Sequence, residues 1–188
     1  MRQAYVVLSF HFLTACAGLC DSADRQSPKR QALNEGYGLL YDLASDIKHV
    51  DKLLLVKYES DKVEAVIDDI AQSAAKFVQG LEALAKKEPR LNLKDSGLPA
   101  IEVETRTSVQ QDLVAQMAPI AGKTGHHFER TLLLSQSVAL NHLRHLIEHV
   151  HNVERQEERR AFLDRTHKTF DQLYERVNRL LETHYFCK

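Results

Sequence analysis

The chain has 188 residues, a formal net charge of -1, and 44% hydrophobic and 27% charged residues. That length carries one domain with a sizeable core, not two comfortable ones. Seven glycines and four prolines are too few for the turns of an all-β fold, and the charge balance excludes an electrostatic hold on nucleic acid as the main task.

Residues 1–20 open with Arg2 and continue as an apolar run to residue 15. The run is too short to cross a bilayer, which takes roughly 20 residues, but it suits the apolar region of a secretory signal. It ends in Leu13-Thr14-Ala15-Cys16. This tetrapeptide resembles the bacterial lipobox. The resemblance is confined to the signal, and His11 and the single basic residue depart from the usual pattern. It implies removal of residues 1–15, acylation of Cys16 and a protein anchored to a membrane rather than spanning one. With Ala17 rather than Asp after the cysteine, it implies the outer membrane, facing the periplasm. The alternative is an ordinary secretory signal and a secreted product. Cys20 and Cys187 lie near the two ends of the mature chain. A helical bundle with both ends on one side allows a disulfide between them in an oxidising compartment; otherwise they are two free thiols.

Residues 16–31 read as the lipidated cysteine and a polar tether, and residues 32–188 as the folded domain. A first helix is expected from about Ala32 to Val56, with Leu33, Leu40, Leu43, Ile47, Val50 and Leu54 at steps of three and four. Gly36 and Gly38 either fray its start or mark a close helix contact. Asp61-x-x-Glu64 has the form of a capping box. The second helix carries Val63, Ile67, Ile70, Ala74, Phe77, Leu81 and Leu84 in register and stops before Pro89. Residues 88–103 form the one long connection, and their leucines predict packing over an end of the bundle. A third helix starts near Thr105 or Thr107 and is kinked or broken near 116–125, where Pro119 lacks its amide hydrogen.

The central stretch, 126–154, holds six of the ten histidines, and within it 131–143 carries no Asp, Glu, Lys or Arg. The spacing of Phe128, Leu132, Ser135, Ala139, Leu146 and Val153 predicts a buried seam that His142 and His149 complete. After a turn at 155–158, a fourth helix has its seam at Leu163, Thr166, Phe170, Leu173, Val177, Leu180 and His184. Together these segments predict an all-α fold, an antiparallel up-down-up-down four-helix bundle with a kinked or broken long third helix.

His142, His145 and His149 share one side of a helix. A turn centred near Gln156 sets His145 opposite His167. With Glu148, these residues form a candidate transition-metal site for zinc, copper or iron. Glu148 and His151 make a Glu-x-x-His pair similar to that of di-iron bundles, but no other helix supplies a second one. The alternative is a neutral polar layer that sets helix register. Haem-attachment, P-loop, dinucleotide and nucleophile-elbow motifs are all missing. The expected function is therefore non-enzymatic: a lipid-anchored envelope protein of interaction or structural type, with the membrane and a protein as partners and no required cofactor. The alternatives are a metal-binding bundle and a secreted signalling bundle.

Overall fold

The computed structural model describes residues 28–52, 60–117 and 125–186. Among these the fold is all-helical, with five α-helices and no strand: α1 (Pro28–Ile47), α2 (Asp61–Lys87), α3 (Ala100–Met117), α4 (Gly125–Val153) and α5 (Glu157–Leu180). A wider π-type turn, Leu181–Tyr185, continues α5.

α2 matches its expected span, and all seven of its predicted seam residues are buried. Its acidic first turn and basic last turn complement the helix dipole. The capping box does not form. Ser60, not Asp61, precedes the helix, and its side chain makes no capping bond. Its amide instead donates 2.8 Å to Glu129 Oε1, so a distant carboxylate serves the helix start.

α1 begins at Pro28 and not Ala32. Proline fits a first helical turn because its missing amide hydrogen has no partner there anyway. The helix stops at Ile47, short of Val56; a tighter turn follows and buries Val50. Leu54 lies outside the described residues. Gly36 and Gly38 mark close contacts, not fraying. A Cβ on Gly36 would meet Val150 Cγ2 of α4 at 2.8 Å, and one on Gly38 would run into the backbone carbonyl of Asp95. The connection after α2 does pack on the fold. Leu91 and Leu93 are buried, and Arg90 O accepts 3.0 Å from Asn34 Nδ2.

The glycines make a test of sign. Gly→Ala inside a helix ordinarily stabilises by about 1 kcal/mol. Gly38→Ala is expected instead to destabilise by about 1–3 kcal/mol, because a backbone carbonyl cannot rotate away as a side chain can. Urea unfolding decides the sign.

The predicted third helix is two helices. α3 ends at Met117 and α4 starts at Gly125, whose φ of 55° is open to glycine; the expected Pro119 break lies between them, outside the described residues. α3 starts five residues before Thr105, directly after Pro99, whose carbonyl accepts from Glu102 and Val103. It is mostly exposed, with Ile101, Val103, Val109 and Val114 facing solvent. Leu113 is its one described residue packed on the core. Polar links tie this region to α1: Asp42 with Ser96, and Asp46 with Gln110, with Arg106 nearby.

Partial desolvation pushes both the Asp42 and Asp46 carboxyls up from their ordinary values, although each keeps an exposed edge. A raised carboxyl favours the folded arrangement fully below its unfolded value, roughly pH 4, and loses that contribution as pH rises through the folded value. Acidification from pH 7 towards 4 is therefore expected to tighten the hold of α3. Asp42→Asn/Asp46→Asn should mimic this at neutral pH, read as slower amide exchange along α3.

α4 packs on α5 and α1, and α2 packs on α1 and α5. The rings of Phe77 and Phe170 meet edge-on at 5.7 Å, and Phe77 stacks on Phe162 at 5.6 Å. A Cβ on Gly80 would meet the Phe162 ring at 2.5 Å, so α2 and α5 touch closely there. In α5 the stripe keeps Leu163, Phe170, Leu173 and Val177, then passes to Leu181 and Tyr185. His184, expected on the seam, is exposed. The π-type turn carries the phase one residue past the expected Leu180 and His184.

Candidate functional site

α4 decides where the histidines go. Its buried line is Leu133, Gln136, Leu140, Leu143, Ile147 and Val150, and it ends in Glu129 and Glu154. These residues recur at steps of four and three without a slip. The expected seam lay on a neighbouring line, and it fails beyond Leu132: His142, His149 and Val153 are exposed and Ala139 and Leu146 only partly buried. Larger apolar side chains win the core over Ser135, Ala139 and histidine, since burial scales with apolar area. The opposite ridge of α4 therefore carries Leu134, Val138, His142, His145 and His149.

The side-chain pairs between α4 and α5 also differ from expectation. Ser137 Oγ donates 2.7 Å to Asn178 Oδ1, and Arg144 Nη1 donates 2.7 Å to Asp171 Oδ1. Neither pair is the one that a turn centred at Gln156 would give. The offset these pairs share sets His167 level with Glu148, not with His145. His151 and His167 both lie near Asp164. The Lys168 ammonium, bonded to Asp164 at 2.8 Å, holds that carboxyl below the usual range, and the two histidines act in the same direction.

His145 has its own surroundings. Its Nδ1 lies 3.4 Å from Glu148 Oε2, and Nη2 of Arg144 lies 3.5 Å from its Nε2. Both contacts are long. Nδ1 thus faces a carboxylate oxygen and Nε2 faces the donors of a guanidinium. Among the described residues, no three His, Cys, Asp or Glu side chains of one chain come together as a metal site. Cys16, Cys20 and Cys187 lie outside the described residues. Among the described residues, no helix is long and apolar enough to cross a membrane.

No family model, curated protein or solved structure matches this chain. The candidate site therefore rests on its own geometry.

Two polar clamps at the ends of α4 were not expected. At the C-terminal end, Glu154 is 3% exposed and Arg159 9%. Glu154 Oε1 accepts from the amides of Arg155 and Gln156 at 2.7 and 2.8 Å. Its Oε2 accepts from the Tyr37 hydroxyl at 2.9 Å and lies 3.3 Å from Arg159 Nε. Burial, then the negative charge of Glu154, pushes the Tyr37 hydroxyl far above its ordinary pKa, so it stays a donor. At the other end, Glu129 Oε1 accepts from the Ser60 amide, and its Oε2 accepts 2.8 Å from the Tyr185 hydroxyl. The ring of His126 lies against Tyr185 at 4.5 Å between centroids. The available signal was phase: both glutamates continue the four-three line of the buried leucines.

Proposed function

We propose that this chain is a non-enzymatic, lipid-anchored envelope protein, a helical bundle of interaction or structural type. The observation that carries the reading is the tetrapeptide Leu13-Thr14-Ala15-Cys16, which follows a short apolar run and one basic residue. Acylated Cys16 would hold the domain at the outer membrane, facing the periplasm. The secreted form is the alternative if the signal is cut without acylation.

The domain is proposed to be an antiparallel four-helix bundle of α1, α2, α4 and α5. Support comes from the closed ring of packing partners, α1 with α2, α2 with α5, α5 with α4 and α4 with α1. It comes also from cross-links whose residue numbers run in opposite senses. Tyr41 bonds Glu82 while Asn34 bonds Arg90, and Arg176 bonds Asp69 while Lys62 meets His184. In this arrangement α3 is the return stroke on the outside. α2 and α4 then run the same way on one diagonal, which modifies the simple up-down-up-down path.

Growth in labelled palmitate tests the anchor. The native chain is expected to take label and to fractionate with membranes, and Cys16→Ser to lose both. An unlabelled native chain would leave only the secreted reading.

A further inference from the structure

The outward ridge of α4 is unusual for a surface helix. From Leu134 to His145 its exposed residues are Leu134, Val138, His142 and His145, with no formal charge among them. Val138 is 72% exposed. A surface in water rarely spares charge over so long a helix face when 27% of the chain is charged. The ridge offers imidazoles instead, side chains whose ring nitrogens serve as metal ligands.

We propose that His142 and His145 form half of a zinc site that a second copy of this chain completes. Two histidines three residues apart stand on one helix face about 4.5 Å apart along the axis. They supply two ligands, whereas a structural zinc ion takes four in a tetrahedron. Two ligands leave the site half filled, and among the described residues no third His, Cys, Asp or Glu of the same chain joins them. A two-fold axis level with residues 143 and 144 solves the count. It brings His142 of each copy beside His145 of the other, so four imidazoles surround one ion on the axis.

The rest of the ridge is self-complementary about the same axis, as a two-fold contact requires. Leu134 of one copy comes level with Val153 of the other, which sets the two exposed apolar residues at one height along the pair. Val138 comes level with His149. Arg130 comes level with the turn at 155–158, where glutamates outnumber arginine. An axis centred on the His145–His149 pair would leave Leu134 beyond the partner's helix end.

The surroundings of His145 fit the role. Glu148 lies against Nδ1, as carboxylates do behind metal-binding histidines, and leaves Nε2 as the ligand atom. The nearby guanidinium of Arg144 is engaged elsewhere. It bonds Asp171 at 2.7 Å and lies over the Tyr174 ring at 4.6 Å. The site does not depend on acylation of Cys16, and His167 takes no part in it.

Sedimentation of the full chain in detergent, with EDTA or with zinc chloride, tests the proposal. Zinc is expected to convert monomer to dimer at one ion per two chains, and EDTA to reverse it. His142→Ala and His145→Ala should each weaken zinc-driven dimerisation by at least about tenfold, since each removes two of the four ligands. Val138→Glu keeps every ligand but places charge on the ridge, and should also block the dimer. All three positions are exposed, so the variants should fold. With cobalt in place of zinc, a tetrahedral absorption spectrum should appear only in the dimer. The proposal is overturned by one zinc per chain without a change in mass, by a mass indifferent to zinc and EDTA, or by dimerisation that survives either histidine variant or Val138→Glu.

Discussion

Replacing Glu154 by alanine is expected to destabilise the fold by about 3–5 kcal/mol, the range for breaking a buried ion pair by deleting one partner. The loss is large because four groups are orphaned together. Arg159 keeps its charge at 9% exposure with its carboxylate gone. The Tyr37 hydroxyl loses its acceptor. The amides of Arg155 and Gln156 lose theirs, in the turn that joins α4 to α5. Arg159 Nε retains Gln156 Oε1 at 2.9 Å, which softens the loss without replacing the charge. Glu154→Gln keeps the shape and one carbonyl acceptor, so it should cost about 1–2 kcal/mol. Tyr37→Phe should cost about 1 kcal/mol. Urea unfolding of the three variants checks the order. Equal effects of Glu154→Ala and Glu154→Gln would mean that the charge on Arg159 is not the main loss.

Replacing Glu129 by alanine is expected to cost about 2–4 kcal/mol, because a part-buried amide and a buried hydroxyl both lose this carboxylate. The Ser60 amide sits at the start of α2, and Ser60's own side chain provides no cap. The Tyr185 hydroxyl sits beyond the end of α5. The carboxylate therefore ties the starts of α2 and α4 to the end of α5. Tyr185→Phe should remove about 1 kcal/mol of this. In Tyr185→Phe, Glu129→Ala should cost correspondingly less. A double-mutant cycle on the pair measures that coupling. Strict additivity would show that the 2.8 Å contact contributes nothing of its own.

How much of this was legible beforehand depends on the kind of residue. α2 could be read to its ends, because Val63 through Leu84 keep one phase and Pro89 stops the helix. Of the break expected near 116–125, the described residues include the end of α3 at Met117 and the start of α4 at Gly125. The buried face of α4 was not legible. Its true core line contains Glu129, Gln136 and Glu154, and a search for apolar residues discards such a line in favour of one with Ser135, Ala139 and His142. Polar residues with tertiary partners are invisible to a hydrophobic pattern until those partners are known. Tyr37 and Tyr185 lie 117 and 56 residues from the glutamates they serve. The cross-hairpin pairs were missed for a smaller reason: a shift of the turn centre by one or two residues moves every cross-hairpin partner. The extent of α3 was hidden too. It has almost no apolar face, and its start depends on Pro99 rather than on a stripe.

The two clamps give α4 the mechanics of a beam built in at both supports. An ordinary helix frays from its ends, where four amides and four carbonyls lack partners, and its terminal amides exchange with solvent long before its centre does. Here Glu129 and Glu154 join the two ends of α4 to three other helices, over about 37 Å of rise. Unwinding inward past Glu129 at one end or past Glu154 at the other requires pulling a carboxylate off a tyrosine. Hydrogen exchange should therefore be flat along the part of α4 between the two clamps, which opens only when the whole domain does.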